Sequence, residues 1–143
     1  VSAFGPARLA EIHTASFTTP RPWSERDFAE LLPLRGVFLV TCGGPGFALG
    51  RAVAGEAELL TIAVMPDARG QGAGRRLLRD YEATAQAAGA RMSFLEVAED
   101  NLPAITLYRS AGYRESGRRG GYYVTPDGDR IDALLLEKRI GEM

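Results

Sequence analysis

The chain has 143 residues, enough for one domain with a core of ordinary size. Hydrophobic residues make up 45% of it and charged residues 24%, a globular balance that leaves no case for disorder. Lys plus Arg (17) nearly cancels Asp plus Glu (18), so there is no global basic field to hold nucleic acid, and none is expected as a partner.

One cysteine, Cys42, and one histidine, His13, cannot assemble a disulfide framework or a Cys/His metal site. No metal is therefore expected, and a reducing, cytoplasmic compartment is. No stretch approaches ~18 consecutive apolar residues, so no membrane span is expected. No leader is expected either, although the start on Val1 rather than Met leaves processing or trimming open.

In chain order, a first helix is predicted from Pro6 through "ARLAEIHTASF", with Leu9, Ile12, Ser16 and Phe17 on one face. "TTPRP" breaks it. Ser24 caps a second helix, with Asp27 in the reciprocal capping position and Phe28, Leu31 and Leu32 facing inward. "GVFLVTC" and "FALGRAVAG", joined through "GGPG", read as an antiparallel hairpin. "EAELLTIAV", Glu56 to Val64, is a strand that begins polar and ends apolar. The glycine-rich "ARGQGAGRRLL" then opens a helix whose face carries Leu77, Leu78, Tyr81, Ala85 and Ala88, stopped by Gly89. "RMSFLEV" is the next strand. "DNLPAITLYRSAG" is a short helix with Asn101 as cap, Pro103 in its first turn and Gly112 as its stop. "GYRESGR" and "DRIDALLLEKR" close the chain as two strands joined through "GGYYVTPDG". Helices alternate with strands in the middle and hairpins stand at both ends. An α/β fold with a mixed sheet is expected, parallel where a helix crosses over.

The glycine loop follows a strand and opens a helix, where exposed N–H groups and the helix dipole receive an anion. A dinucleotide fingerprint from Gly70 needs glycine at 75, where Arg75 stands. A Walker-type loop needs Gly-Lys-Ser/Thr at 75–77, where Arg75, Arg76 and Leu77 stand. Both patterns fail. Arg69-x-x-Gly72-x-Gly74 after "TIAVMPDA" resembles instead the acetyl-CoA pyrophosphate loop of the GNAT family of N-acetyltransferases. "FLEVAEDNLPAITLYRSAGY" is similar to the second hallmark of that family, and the resemblance runs from about Trp23 to Leu136. Within the family the chain most resembles the RimI type, the ribosomal-protein alanine N-acetyltransferases. That likeness is carried by "PWSE", "EAELLTIAV", "LEV…N…AI…LY" and "YYVTPDGDRIDALLL".

The resemblance implies a single GNAT domain over 1–143, with a mixed, mostly antiparallel sheet, a parallel β-α-β crossover in the middle and helices on both faces. It implies acetyl-CoA as co-substrate. The loop Arg69, Gly70, Gln71, Gly72, Ala73, Gly74 and Arg75 would hold the pyrophosphate, the main chain of Ile62, Ala63 and Val64 the pantetheine arm, and Asn101 would touch the coenzyme. It also implies direct attack of an amine on the thioester, with Glu96 as proton acceptor and Tyr108 as proton donor to the thiolate. The acceptor is the α-amine of a protein N-terminus or a small-molecule amine. A catalytically silent acyl-CoA-binding module is the reading outside the enzymes. The chain departs from the RimI pattern at Ala98, where an Arg commonly follows "LEV", at the acidic Glu99-Asp100, and at Gly121, where Asn commonly precedes the tyrosine pair. The family's N-terminal strand is expected to be shortened or absent.

Strand alternation puts Glu96 on one face with Met92 and Phe94, at the end of an apolar row. An ordinary strand-end glutamate in a salt bridge is its plain alternative. Glu58 is expected on the side of Leu60, Ile62 and Val64, as a second carboxylate acting through water or as a solvated strand start. Glu56 and Glu58 compete with Glu96 for the base, since other branches of the family carry a glutamate on this strand. Tyr122 and Tyr123, on the last connection, and Trp23, beside Ser24, are expected to line the acceptor groove. A backbone N–H around Val64 is the expected oxyanion donor. His13 is expected to cover the core without a partner, and Cys42 to be a buried thiol.

Overall fold

The structure is a computed structural model that describes residues 5–16, 22–41, 46–70 and 72–141. Phe17, Cys42 and Gln71, and the stretch where a strand before the first helix would stand, lie outside the described residues. Helix α1 (Pro6–Ser16) buries Leu9, Ile12 and His13. Helix α2 (Glu25–Leu31) starts on the expected capping box. Ser24 Oγ accepts the Asp27 N–H at 3.1 Å, and Asp27 Oδ2 accepts the Ser24 N–H at 2.9 Å.

Strands β1 (Val37–Thr41) and β2 (Gly46–Val53) form the first hairpin, and β3 (Glu56–Val64) adds to it antiparallel. A short 3₁₀ turn at Pro66–Ala68 and the glycine loop lead into α3 (Ala73–Ala87), which crosses over to β4 (Met92–Ala98), parallel to β3. Helix α4 (Leu102–Ser110) starts where Asn101 Oδ1 accepts the Ala104 N–H at 3.3 Å. Strands β5 (Arg114–Val124) and β6 (Arg130–Arg139) end the sheet, whose order is β1-β2-β3-β4-β6-β5. Among the described residues, no helix is long and apolar enough to cross a membrane.

Helices cover both faces. Ala48 of β2 packs in the cluster of Leu77, Leu78, Tyr81 and Tyr108, from α3 and α4. Its neighbours Phe47 and Leu49 point the other way, into the cluster of Leu9, Ile12 and Phe28, from α1 and α2. Three expectations are corrected. Ala88 is an exposed C-cap, and Ala90 is the buried alanine at that end. Tyr122 and Tyr123 belong to β5 itself, because the strand runs six residues past "GYRESGR".

The third correction concerns Glu58. Leu49 pairs with Thr61 but Gly50 pairs with Leu59, so Leu60 is an extra residue on β3. Such a bulge reverses the alternation beyond it. Ala57 and Leu59 pack on the α3 side, and so do Ile62 and Val64, while Leu60 and Ala63 pack on the α1 side. Glu58 therefore shares a side with Leu60 but not with Ile62 and Val64.

Candidate active site

The parallel pair β3/β4 is registered only from Glu56↔Met92 to Glu58↔Phe94. Beyond that point β3 follows β2 to Val64, while β4 follows β6 to Ala98. The C-terminal halves of the two strands thus bound a wedge with main-chain groups on its flanks, the setting in which an extended amide chain pairs. Two cavities occupy it, of about 290 Å³ and about 310 Å³, and they share Ile62, Asn101 and Ala104.

The first cavity is walled by Ile62, Ala63, Val64, Arg69, Gly70, Gly72, Ala73, Gly74 and Asn101, with Ser16, Pro103 and Leu107. Gly70 and Gly72 stand at φ +81° and +80°, the left-handed region that favours glycine. Gly72 is the N-cap of α3, no side chain caps that end, and its first turn holds no acidic residue. A Cβ on Gly74 would come 3.3 Å from Leu107 Cδ2, so the loop already lies close on α4. This cradle fits a pyrophosphate: close backbone, an uncapped helix N-terminus and a neighbouring arginine.

Arg69 lines the cavity while its Nε donates to Val64 O at 3.2 Å and its Nη2 to Ser16 O at 3.4 Å. Arg75 turns away, donating to Ser110 Oγ on α4 at 3.1 Å, and does not line the cavity. Val64 O also accepts from Ser16 Oγ at 3.1 Å, so that carbonyl is already engaged.

The second cavity gathers Trp23, Glu58, Glu96, Tyr108, Tyr122 and Tyr123, with His13, Thr61 and Ala98. Glu96 shares its face of β4 with Met92 and Phe94, opposite the buried Ser93, Leu95 and Val97. Its Oε1 lies 3.2 Å from Arg119 Nε. Partial burial and then the Glu96 charge lift Glu58 above the ordinary carboxylate range, against the pull of Arg51 and Arg119. Tyr108 is 5% exposed. Burial, then Tyr81, pushes its phenol well above the ordinary value, so it remains a proton donor at neutral pH. Burial, then Glu96, pushes Tyr123 up to about 12.

His13 has partners that the sequence did not suggest. Its Nδ1 accepts the Trp23 N–H at 2.9 Å and its Nε2 meets Thr61 Oγ1 at 3.0 Å. Its ring stacks on Trp23 with centroids 5.0 Å apart. Arg119 was also missed, since it stands in a charged run, "RESGRRGG", that reads as strand surface. Glu99, of the acidic pair that departs from the RimI pattern, is paired with Arg118 at 3.2 Å.

Residues 8–113 match the acetyltransferase (GNAT) family, to which the chain belongs. It is an N-acetyltransferase. The chain is 41% identical over 118 residues to the [ribosomal protein bS18]-alanine N-acetyltransferase of Escherichia coli K12, spanning 80% of this chain and 79% of that protein. It is 37% identical over 124 residues to the N-alpha-acetyltransferase RimI of Mycobacterium tuberculosis, spanning 81% and 77%. The crystal structure of the Escherichia coli ribosomal-protein-S18-alanine N-acetyltransferase superposes with a TM-score of 0.84 at 34% identity, covering 99% of this chain and 94% of that one.

Proposed function

We propose that residues 1–143 form one domain that transfers an acetyl group from acetyl-CoA to the α-amine of a protein N-terminus, in the cytoplasm where such termini arise. The observation that carries this reading is the junction of the two cavities at Ile62, Asn101 and Ala104, with Glu96 and Tyr108 on the wall just beyond it. The names of the two bacterial relatives, both N-terminal or alanine acetyltransferases, support the choice of acceptor.

When bound, acetyl-CoA supplies the acetyl group as a thioester. The amides of Gly70, Gly72, Ala73 and Gly74, with Arg69 and Gln71, hold the pyrophosphate. Arg75 serves through its backbone, because its side chain is engaged on α4. Ile62 pairs its main chain with the pantetheine arm, Ala63 lines the same cavity with its carbonyl turned to β2, and Val64 offers its N–H to the thioester carbonyl oxygen, where charge develops. Asn101 touches the coenzyme at the junction. Glu96 takes the proton from the attacking amine. Tyr108 gives one to the departing sulfur. Glu58 draws in the ammonium form of the acceptor, and Trp23, Tyr122 and Tyr123 wall the acceptor. The first side chain faces Leu60, Thr61 and the His13–Trp23 stack, a confined space that suits Ala or Ser.

Initial rates on matched peptides test the reading. A free N-terminal Ala peptide is expected to be acetylated much faster than the same peptide blocked at its α-amine and carrying lysine, and faster than small amines. Faster acetylation of the blocked peptide or of a small amine overturns the N-terminal acceptor. No turnover with any amine, alongside tight acetyl-CoA binding, indicates a silent binding module.

A further inference from the structure

Arg119 reaches Glu96, on the wall of the acceptor cavity, from β5, two strands away from the one that carries Glu96. Its Nε lies 3.2 Å from Glu96 Oε1, with the two side chains 52% and 27% exposed. The same guanidinium stands 5.3 Å from the Tyr122 ring centroid, and Tyr122 meets Tyr123 edge-on at 5.2 Å. The backbone explains this aim. Arg119 pairs with Ala133 but Tyr123 pairs with Ile131, so β5 takes four steps where β6 takes two. The excess bulges at Gly120–Tyr122, with Gly121 at φ +58°. Gly121 is clamped there: its N–H donates to Asp132 Oδ1 at 2.9 Å, and its carbonyl accepts from Arg130 Nη1 at 3.1 Å.

The acceptor site needs a group in this position. An α-amine, with an ordinary pKa of about 7.7–8.0, arrives largely as ammonium at neutral pH. Two carboxylates, Glu58 and Glu96, face it across one cavity, and the Glu96 charge opposes the ionisation of Glu58. The surrounding elements contribute the rest of the field. From β2, Arg51 lies opposite Glu58 in register. From β6, Leu135 lies opposite Glu96, and Glu137, opposite Phe94, is paired with Arg114 at 3.9 Å. Tyr108, Tyr122 and Tyr123 are phenols, and burial keeps His13 neutral at physiological pH. Arg119 is ion-paired with Glu96 itself.

We propose that Arg119 is a positioning residue of the acceptor site: its guanidinium fixes the Glu96 carboxylate and offsets Glu58, so that both acids meet the ammonium as carboxylates. This rests on the reading of Glu96 as the base. Because the two acids are coupled, the acidic limb of kcat/KM belongs to the pair rather than to either residue.

The test is the pH profile of kcat/KM for an N-terminal Ala peptide in Arg119→Gln and Arg119→Lys. A cation within about 4–6 Å moves a carboxyl by about 1–3 pH units, and solvent exposure reduces that here. In Arg119→Gln the acidic limb is expected to move up by roughly 0.5–1 pH unit, with acetyl-CoA affinity and thermal midpoint close to wild type. Arg119→Lys is expected to restore most of the limb. Carbon-13 titration of the glutamate carboxyls in the ligand-free protein should show the same upward displacement. A uniform loss of rate with an unmoved limb, or an unmoved carboxyl titration, overturns the proposal. Glu96→Gln separates the two claims. If it keeps the wild-type profile, the base has been misassigned; if it loses the limb while Arg119→Gln does not move it, the role of Arg119 fails alone.

Discussion

His13 Nδ1 accepts the Trp23 N–H, which leaves Nε2 to donate to the Thr61 hydroxyl, and this pair of bonds requires the neutral ring. Burial lowers the His13 pKa from 6.5 to about 4, with Asp27 opposing. The unfolded chain therefore binds a proton between pH 6.5 and about 4 that the folded chain refuses. The His13 contribution is fully present above 6.5 and is lost as pH falls toward 4, by on the order of 2–3 kcal/mol. Glu58, with its raised pKa, pulls the other way over part of this window. Urea unfolding from pH 7.5 to 4.5 is expected to show falling stability that is flatter in His13→Gln; parallel profiles would contradict the neutral-ring account. Glu96→Gln and Tyr108→Phe act on a different quantity. Each is expected to reduce kcat by ~10²–10⁴ with acetyl-CoA affinity little changed, read by steady-state rates and calorimetry. If Glu58→Gln loses turnover while Glu96→Gln keeps it, the base lies on β3.

Helix α3 presents its N-terminus through glycines, and their backbone roles left a mark in the sequence. Gly72 stands in the left-handed region, and Gly74 has only 3.3 Å between a would-be Cβ and Leu107 Cδ2. Gly74→Val is expected to weaken acetyl-CoA binding on the order of tenfold or more, about 1.4 kcal/mol, in a folded protein. Unchanged affinity by calorimetry would remove the loop from the coenzyme site. Sites made by main chain are legible because only certain residues permit the geometry, and "RGQGAG" could be read for that reason. Bulges in strands are harder. "EAELLTIAV" carries no glycine or proline to flag the extra Leu60, so the parting of Glu58 from Ile62 and Val64 is not legible in it. "GGYY" reads as a turn by its glycine pair, yet those glycines mark a bulge inside β5. Arg119 and Glu96 are 23 positions apart in sequence and meet only because β6 lies between their strands.

Across the whole molecule, one departure from regular pairing organises the rest. β3 and β4 separate after Glu58 and Phe94, α3 sets its glycine-lined N-terminus at one cavity of the wedge, and β5 brings Tyr122 and Tyr123 to the other. The sheet with its central crossover was legible from the alternation of elements, whereas the wedge was not, because strand lengths do not reveal where pairing stops. Acetyl transfer between the two ligands requires the two cavities to act as one continuous site. The most direct test is calorimetry with a peptide whose N-terminal Ala amine is joined through an acetyl bridge to the sulfur of coenzyme A, compared with coenzyme A and the peptide alone. Linking makes the second contact intramolecular, so the joined ligand is expected to bind about 10²–10⁴-fold more tightly than coenzyme A, and to lose that gain when its peptide is removed. Affinity no better than that of coenzyme A alone would contradict a shared site at Ile62, Asn101 and Ala104.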